Sequence, residues 1–334
     1  MKRVKAFLAL CVVIAMAFSV TACGPSAPET ETVAFSVWTM EWDFFQIMAL
    51  GAEAAAKEAG VEIIIHDQKG DQTEQVSGAT NLLNQGIIAF GISPFAPDAM
   101  PPIVDQAHAL GIPVVISDIG TGGSDHDGFI FSDNFGGGVM NGEFALKMFE
   151  ESNLTEKTYA SLRSPPVGVV SQLRNDGAGQ VLDAAGFTRV AEIHTDDTTE
   201  QGYSVMMDIL AANPDISIVI ASNDAVAAGV GQALLDAGRT DAIVTGFDAS
   251  DQGIEGLRNG TIQATIQQFP YDMGYRAIMV ALALAREESV TYDNPQMKEI
   301  HVAVSLVTAN DIKNTLAEQP VSITGLTRGD IGMG

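Results

Sequence analysis

The chain has 334 residues, enough for two lobes of about 120–150 residues each. An apolar fraction of 46% with 18% charged residues marks a globular chain and excludes a disordered one. With 17 Lys and Arg against 42 Asp and Glu the net charge is −25. That leaves no basic stripe to neutralise phosphates, which argues against a nucleic-acid partner and against a purely electrostatic hold on anionic lipid.

Residues 1–22 open with Lys2, Arg3 and Lys5, followed by an apolar run from Ala6 to Val20. This is the pattern of a secretory leader, and the run is short of the ~20 apolar residues a spanning helix needs. The run ends in Val20-Thr21-Ala22-Cys23-Gly24, which resembles the lipobox of bacterial lipoproteins. The resemblance implies cleavage before Cys23 and a diacylglycerol on its thiol. Losing Lys2, Arg3 and Lys5 would take the net charge from −25 to −28. The other cysteine, Cys11, would leave with the leader, so no disulfide or thiolate site is expected. Residues 23–32, rich in Pro, Ser, Thr and Glu, read as a flexible tether. The expected location is extracytoplasmic, lipid-anchored to a membrane, in a periplasm or on a Gram-positive surface.

The body alternates strands and helices. β-Branched runs at Val33–Val37, Val61–Ile65, Ile87–Ile92 and Pro113–Ser117 predict strands. Between them Phe44, Met48, Ala52, Ala55 and Ala59 step at helical spacing to Gly60; Val76, Ala79 and Leu83 run to Gly86; Ile103, Ala107 and Leu110 run to Gly111. A turn-rich insert, Gly120–Gly128, precedes a strand at Phe129–Ser132. The pattern then restarts with a helix around Met140, Phe144 and Met148. Strands are predicted at Val167–Ser171, Arg189–Ile193, Ser217–Ala221, Ala242–Phe247 and Thr261–Ile266. Helices are predicted near Gln180–Ala185, Gln201–Ala212, Ala225–Ala237, Gln252–Asn259 and Met273–Ala285, with a last strand near Ile300–Val304. This rhythm predicts an α/β fold of two Rossmann-like lobes, each with a parallel sheet built from right-handed crossovers. The expected division is 33–132 with 269–297 in the N-terminal lobe and 133–268 with 298–334 in the C-terminal lobe. The three hinge crossings would then fall near 132–134, 268–270 and 297–299.

In open α/β sheets ligands bind beyond the carboxyl ends of the strands. The residues there are Trp38, Trp42, His66, Asp67, Ser93 and Asp118 in the first lobe. In the second they are Arg174, Asp196, Asp197, Asn223, Asp224, Asp248, Gln267 and Gln268, with Phe44 and Phe45 following Trp42. Carboxylates and amides hydrogen-bond paired hydroxyls, and an aromatic ring covers the C–H face of a sugar, so the set suits a neutral polyhydroxy ligand. Each Asp or Asn taken singly also fits a helix N-cap or turn, Asp67, Asp196 and Asp224 above all. The binding reading comes from the whole ring.

At these residues the chain resembles the type I periplasmic sugar-binding proteins, the ribose- and galactose-binding receptors of ABC transporters. The likeness covers nearly all of 33–310 and is carried by Asp43-Phe44-Phe45, Gly111-Ile112-Pro113-Val114-Val115-Ile116-Ser117-Asp118, Ser132-Asp133-Asn134, Ala221-Ser222-Asn223-Asp224, Gly246-Phe247-Asp248 and Ala264-Thr265-Ile266-Gln267-Gln268-Phe269-Pro270. It implies one small sugar or polyol held between the lobes, a closing trap that delivers it to an ABC permease, a monomer and no catalysis. Phe44 and Phe45 would flank the ring, while Asp118, Arg174, Asn223, Asp248 and Gln268 bind its hydroxyls; Trp38, Trp42 and Asp197 complete the set. The chain departs from ribose-binding members in having Ile119 where they carry Arg, no aromatic near Asp197, and indoles at Trp38 and Trp42. The expected ligand is therefore a less polar or differently shaped polyol, a deoxysugar, or one bearing an amine. A sensory receptor for a sugar-like signal, feeding chemotaxis or a two-component system, is the alternative.

No catalytic or cofactor motif competes. There is no phosphate-binding G-x-x-x-x-G-K-[ST] loop and no G-x-S-x-G elbow, and the five histidines (66, 108, 126, 194, 301) lack zinc spacing. Gly177-Ala178-Gly179 opens a helix but has Leu182 where a dinucleotide site needs Gly, and Asp125-His126-Asp127 reads as a solvated turn. No cofactor and no metal are expected.

Overall fold

The computed structural model describes residues 31–166 and 168–315. The expected leader, Cys23 and most of the tether lie outside the described residues, as do Val167 and residues 316–334. Thr32, the last residue of the expected tether, already pairs with Glu62 at the start of a strand.

The first lobe runs β1 (Thr32–Val37), α1 (Asp43–Ala59), β2 (Glu62–Asp67), α2 (Gln72–Leu83), β3 (Ala89–Ile92), α3 (Met100–Ala109), β4 (Val114–Ser117) and β5 (Gly128–Ser132). The second runs α4 (Asn134–Glu151), β6 (Thr158–Arg163), α5 (Val169–Ala184), β7 (Thr188–His194), α6 (Thr199–Ala212), β8 (Ile218–Ala221), α7 (Asp224–Asp236), β9 (Ile243–Thr245), α8 (Asp251–Asn259) and β10 (Ala264–Gln267). Helix α9 (Pro270–Ala285) returns to the first lobe, followed by β11 (Glu299–Val302), β12 (Ser305–Thr308) and α10 (Ala309–Thr315). Among the described residues the strands form two six-stranded sheets, ordered β11-β5-β4-β3-β1-β2 and β12-β10-β9-β8-β6-β7. The first is parallel throughout; in the second β12 runs antiparallel to β10.

Both faces of each sheet are covered, which is why the strands read as continuous apolar runs. In the first lobe α1 and α9 bury Met48, Ala52, Ala277 and Ala281 against Val33, Phe35 and Val37. On the other face α2 and α3 bury Leu82, Leu83, Ile103 and Val104 against Phe90, Ile92, Val114 and Ile116. In the second lobe β8 splits its side chains, Ile218 and Ile220 toward α4 and α5, Val219 and Ala221 toward α6 and α7. Burying one such side chain contributes about 1.5–3 kcal/mol.

Two expectations are corrected. Of the strand expected at Val167–Ser171, residues 169–171 are helical: Val169 begins α5, and the strand is Thr158–Arg163. The valines at 169 and 170 favour a strand by branching, but Pro165-Pro166 breaks the extended run, and burial of Ala178 and Leu182 decides for a helix. The third crossing also moves. Residues 299–302, expected in the second lobe, extend the first sheet, with Ile300 beside Ile130 and Val302 beside Ser132. Ile300 and Val302 are buried in the first lobe's core, so the chain crosses at Ala303-Val304 instead. That crossing lies beside the one at Asp133, whose N–H donates to the Val302 carbonyl at 2.9 Å.

Candidate functional site

In both sheets the strand order reverses beside the first strand of the lobe, between β1 and β3 and between β6 and β8. Connections there leave to opposite faces and open a crevice at the carboxyl ends.

The loop after β1 is tied down by Asp67, whose Oδ1 accepts from the N–H groups of Met40 and Lys69 at 3.2 and 2.8 Å. The loop carries an aromatic wall. The Trp38 ring lies 5.0 Å from Trp42, 5.6 Å from Phe45 and 5.4 Å from Phe95. Each such pair contributes about 0.5–1.5 kcal/mol beyond area burial, so the wall is pre-organised. Its members differ in access. Trp42 is 53% exposed, whereas Phe45 is buried and backs the two indoles; Phe44 is half-buried, edge-on to Phe45 at 5.3 Å. Phe95 escaped the sequence reading, which stopped at the first residue past β3. Its N–H is anchored on Gln68 Oε1 at 2.8 Å.

Asp118 stands at the end of β4 with φ 69°. It is 8% exposed, and among the described residues no donor reaches its carboxylate. Burial pushes its pKa up to about 7, against the pull of the Arg174 guanidinium and with a further push from the Asp248 carboxylate. The first-lobe carboxylate is thus within electrostatic reach of two second-lobe groups. Asp197 and Asp248 share its backbone anomaly, with φ 62° and 105°. Positive φ costs free energy for any residue with a Cβ, and three such aspartates at strand ends fit a functional constraint.

Arg174 is the centre of the second wall. It projects from the second turn of α5, not from a strand end. Its Nε donates to Asn134 Oδ1 at 2.8 Å and Nη1 to the Ser222 carbonyl at 3.0 Å, with Asp248 Oδ1 at 3.2 Å. Its guanidinium lies over the Phe247 ring at 4.0 Å. Asp248 Oδ1 also accepts from Gln268 Nε2 at 2.7 Å, and Gln268 is buried with Oε1 unpartnered. One hydrogen-bonded chain therefore links Asn134 and Gln268, which stand at two of the three crossings. Asn134 was legible only as part of the Ser132-Asp133-Asn134 stretch, because its contact with Arg174 spans 40 positions.

Asp197 Oδ1 accepts from the hydroxyls of Ser164 and Ser222 at 2.9 and 3.1 Å, spanning the crevice between β6 and β8. Burial raises its pKa, while those two hydroxyls and Arg174 pull it down. Asn223 caps α7 through Oδ1, which accepts from the Val226 N–H at 2.9 Å, while its Nδ2 has no hydrogen bond among the described residues. Asp224 is structural: 1% exposed, it accepts from Thr265 Oγ1 at 2.6 Å and from Ser250 N at 2.7 Å. Burial pushes it up to about 7, with Asp248 adding to the shift. Asp196 closes its own turn onto Thr198.

The remaining motifs are structural. A Cβ on Gly138 would overlap the Arg174 carbonyl oxygen, and one on Gly177 the Phe135 carbonyl oxygen. These glycines let α4 and α5 touch along their backbones, and so place Arg174. His66 lies between Ser36 Oγ and Glu74 Oε1 at 2.9 and 3.3 Å. The turn 125–127 is not simply solvated. His126 is 7% exposed, its Nε2 lies 3.2 Å from the Met297 carbonyl oxygen, and Lys298 Nζ donates to the His126 carbonyl at 2.6 Å. No group of three or more metal-ligating side chains occurs among the described residues.

Residues 33–289 match the family model described as a periplasmic binding protein domain. The ribose import binding protein of Salmonella typhimurium is 29% identical over 284 residues, covering 85% of this chain and 94% of that protein. The carbohydrate transporter solute-binding protein of Agrobacterium radiobacter, solved with D-arabinose, is 27% identical with a TM-score of 0.73, covering 87% of this chain and 99% of that one. The periplasmic ribose ABC transporter structure from Conexibacter woesei shares the fold at a TM-score of 0.79 and 20% identity, covering 91% and 100%. With more than three quarters of its length inside that family model and two parallel-dominated sheets, the chain belongs to the periplasmic binding protein family, type I.

Proposed function

We propose that this protein is the extracytoplasmic solute-binding component of a carbohydrate ABC importer, lipid-anchored through Cys23, and that it binds a small sugar or polyol between its lobes. The carrying observation is the Arg174–Asp248–Gln268 chain of hydrogen-bonding groups within electrostatic reach of Asp118, in a chain whose first lobe also carries the Trp38–Trp42 wall after β1. Hydroxyl pairs suit the polar side and a C–H face suits the indoles. The ribose and arabinose named for the relatives above have this chemistry. In this reading Trp38, Trp42 and Phe44 form one wall with Phe45 behind it, while Asp118, Arg174, Asp197, Asn223, Asp248 and Gln268 bind hydroxyls. The lobes, one comprising 32–132 with 270–302 and the other 134–267 with 305–315, hinge at the three crossings. Ligand bound to both favours closure. The closed monomer then docks on a membrane permease, near which the lipid holds it.

A thermal-shift panel of pentoses, hexoses, deoxysugars, polyols and amino sugars tests the binding reading. A ligand at a hundred times its Kd adds about 2.7 kcal/mol to native stability, a readily seen shift. No shift with any of them refutes it. Labelling cells with a radioactive fatty acid tests the anchor: the native chain takes up label and Cys23→Ala does not, and equal labelling of both refutes lipidation at Cys23.

A further inference from the structure

The charge inventory of the site is one-sided. Asp118, Asp197 and Asp248 face a single guanidinium, that of Arg174, leaving two negative charges over when all are ionised. Arg174 is largely committed, with Nε on Asn134 and Nη1 on Ser222 and Asp248. The acceptors left over among the described residues are both oxygens of Asp118, Oδ2 of Asp197 and of Asp248, and Oε1 of Gln268. The donors left over are Arg174 Nη2, Asn223 Nδ2, Gln267 Nε2, the two indole N–H groups and the hydroxyls of Ser93 and Ser117. None of these donors reaches the Asp118 carboxylate, and only Arg174 among them carries a positive charge.

Asp118 marks where the imbalance is greatest. It is 8% exposed, no donor among the described residues reaches it, and the next residue, Ile119, packs half-buried against the apolar core of its lobe and brings no charge. A carboxylate with so little solvent and no protein donor favours a cation beside it or a proton on it. A ligand hydroxyl brings one donor and two further lone pairs that need donors of their own. An ammonium brings three donors, one positive charge and no acceptor.

We propose that the natural ligand is a cationic amino sugar or aminocyclitol whose ammonium group sits on Asp118, with its hydroxyls on Arg174, Asp248 and Gln268 and its C–H face on the Trp38–Trp42 wall. This rests on the carbohydrate-receptor reading above and narrows its ligand class.

The test is calorimetric titration of the full-length chain in detergent at pH 7.5 with matched pairs that differ only by hydroxyl and ammonium at one carbon: D-ribose and 2-amino-2-deoxy-D-ribose, D-glucose and D-glucosamine, D-galactose and D-galactosamine, myo-inositol and an inosamine. The expected result is at least one pair in which the amino member binds tenfold or more tightly than its twin. Asp118→Asn should erase that ratio. Circular dichroism confirms that the variant is folded, and Asp197→Asn tests whether the ratio belongs to Asp118. Neutral members binding as tightly as or more tightly than their amino twins overturns the proposal and leaves the carbohydrate-receptor reading intact. An amine preference unchanged in Asp118→Asn overturns the assignment to Asp118. Binding of neither member of any pair overturns the proposal, and the carbohydrate-receptor reading falls with it only when the thermal-shift panel shows no shift as well.

Discussion

Asp118 makes a quantitative claim about ligand-free stability. Its folded-state pKa is raised from 3.8 to about 7, chiefly by burial, with Asp248 adding to the shift and Arg174 opposing it. The folded protein therefore keeps a proton that the unfolded chain has released between about pH 4 and pH 7. Folding stability falls as pH rises through that window and levels off above it. At about 1.36 kcal/mol per pH unit, the rise from pH 5 to pH 8 costs roughly 2–3 kcal/mol from this residue alone. Asp224 contributes in the same direction, and relief of a net charge of −25 on acidification adds to both. Comparison of Asp118→Asn with the parent isolates the one carboxyl, because the other contributions are common to both. Asp118 suits the substitution better than Asp224, which accepts three hydrogen bonds that an amide would disrupt. Urea unfolding at pH 5, 6, 7 and 8, followed by far-UV circular dichroism, reads the difference. The variant should gain on the parent by roughly 2–3 kcal/mol between pH 5 and pH 8, with unchanged urea dependence. A difference that stays flat across the range would falsify the claim that Asp118 is held protonated by burial.

Other consequences are checked more simply. Arg174→Lys should weaken binding of the best ligand from the panel by about 100-fold or more, since a point charge cannot serve Asn134, Ser222 and Asp248 together; titration with retained affinity contradicts the clasp. Gly138→Ala should destabilise the fold by about 1–3 kcal/mol, because the new methyl group meets the Arg174 carbonyl oxygen. It should also weaken binding as α5 is displaced, and a neutral effect on both counts against direct backbone contact between α4 and α5. The chain's two tryptophans both stand on the proposed ligand wall, so a bound ligand should change intrinsic fluorescence. Trp38→Phe with Trp42→Phe should remove that signal, and a tryptophan emission unmoved by saturating ligand places the ligand elsewhere.

The sequence by itself determined the architecture wherever a signal was local. Apolar runs mark β1, β3, β4 and β8 because both sheet faces are covered, and Gly60 and Gly260 end their helices in the left-handed conformation that suits glycine. Residues following a strand, such as Trp38, Asp118 and Asp248, were legible as site candidates because parallel topology puts strand ends together. Local signals failed where a partner far along the chain made the decision. The valines of α5 have strand propensity and yet form a helix because Ala178 and Leu182 bury against the second sheet. Residues 299–302 fit either lobe by pattern, and the open edge beside β5 claimed them. Asn134 and Phe95 belong to the two walls only because Arg174 and Trp38 come to them in space. Asp224 has the same residue type and strand-end position as the binding candidates, but Ser250 and Thr265 close over it. Which strand-end carboxylates keep free oxygens and which are sealed in the core is set by burial and hydrogen-bond partners, and both are properties of the packed chain.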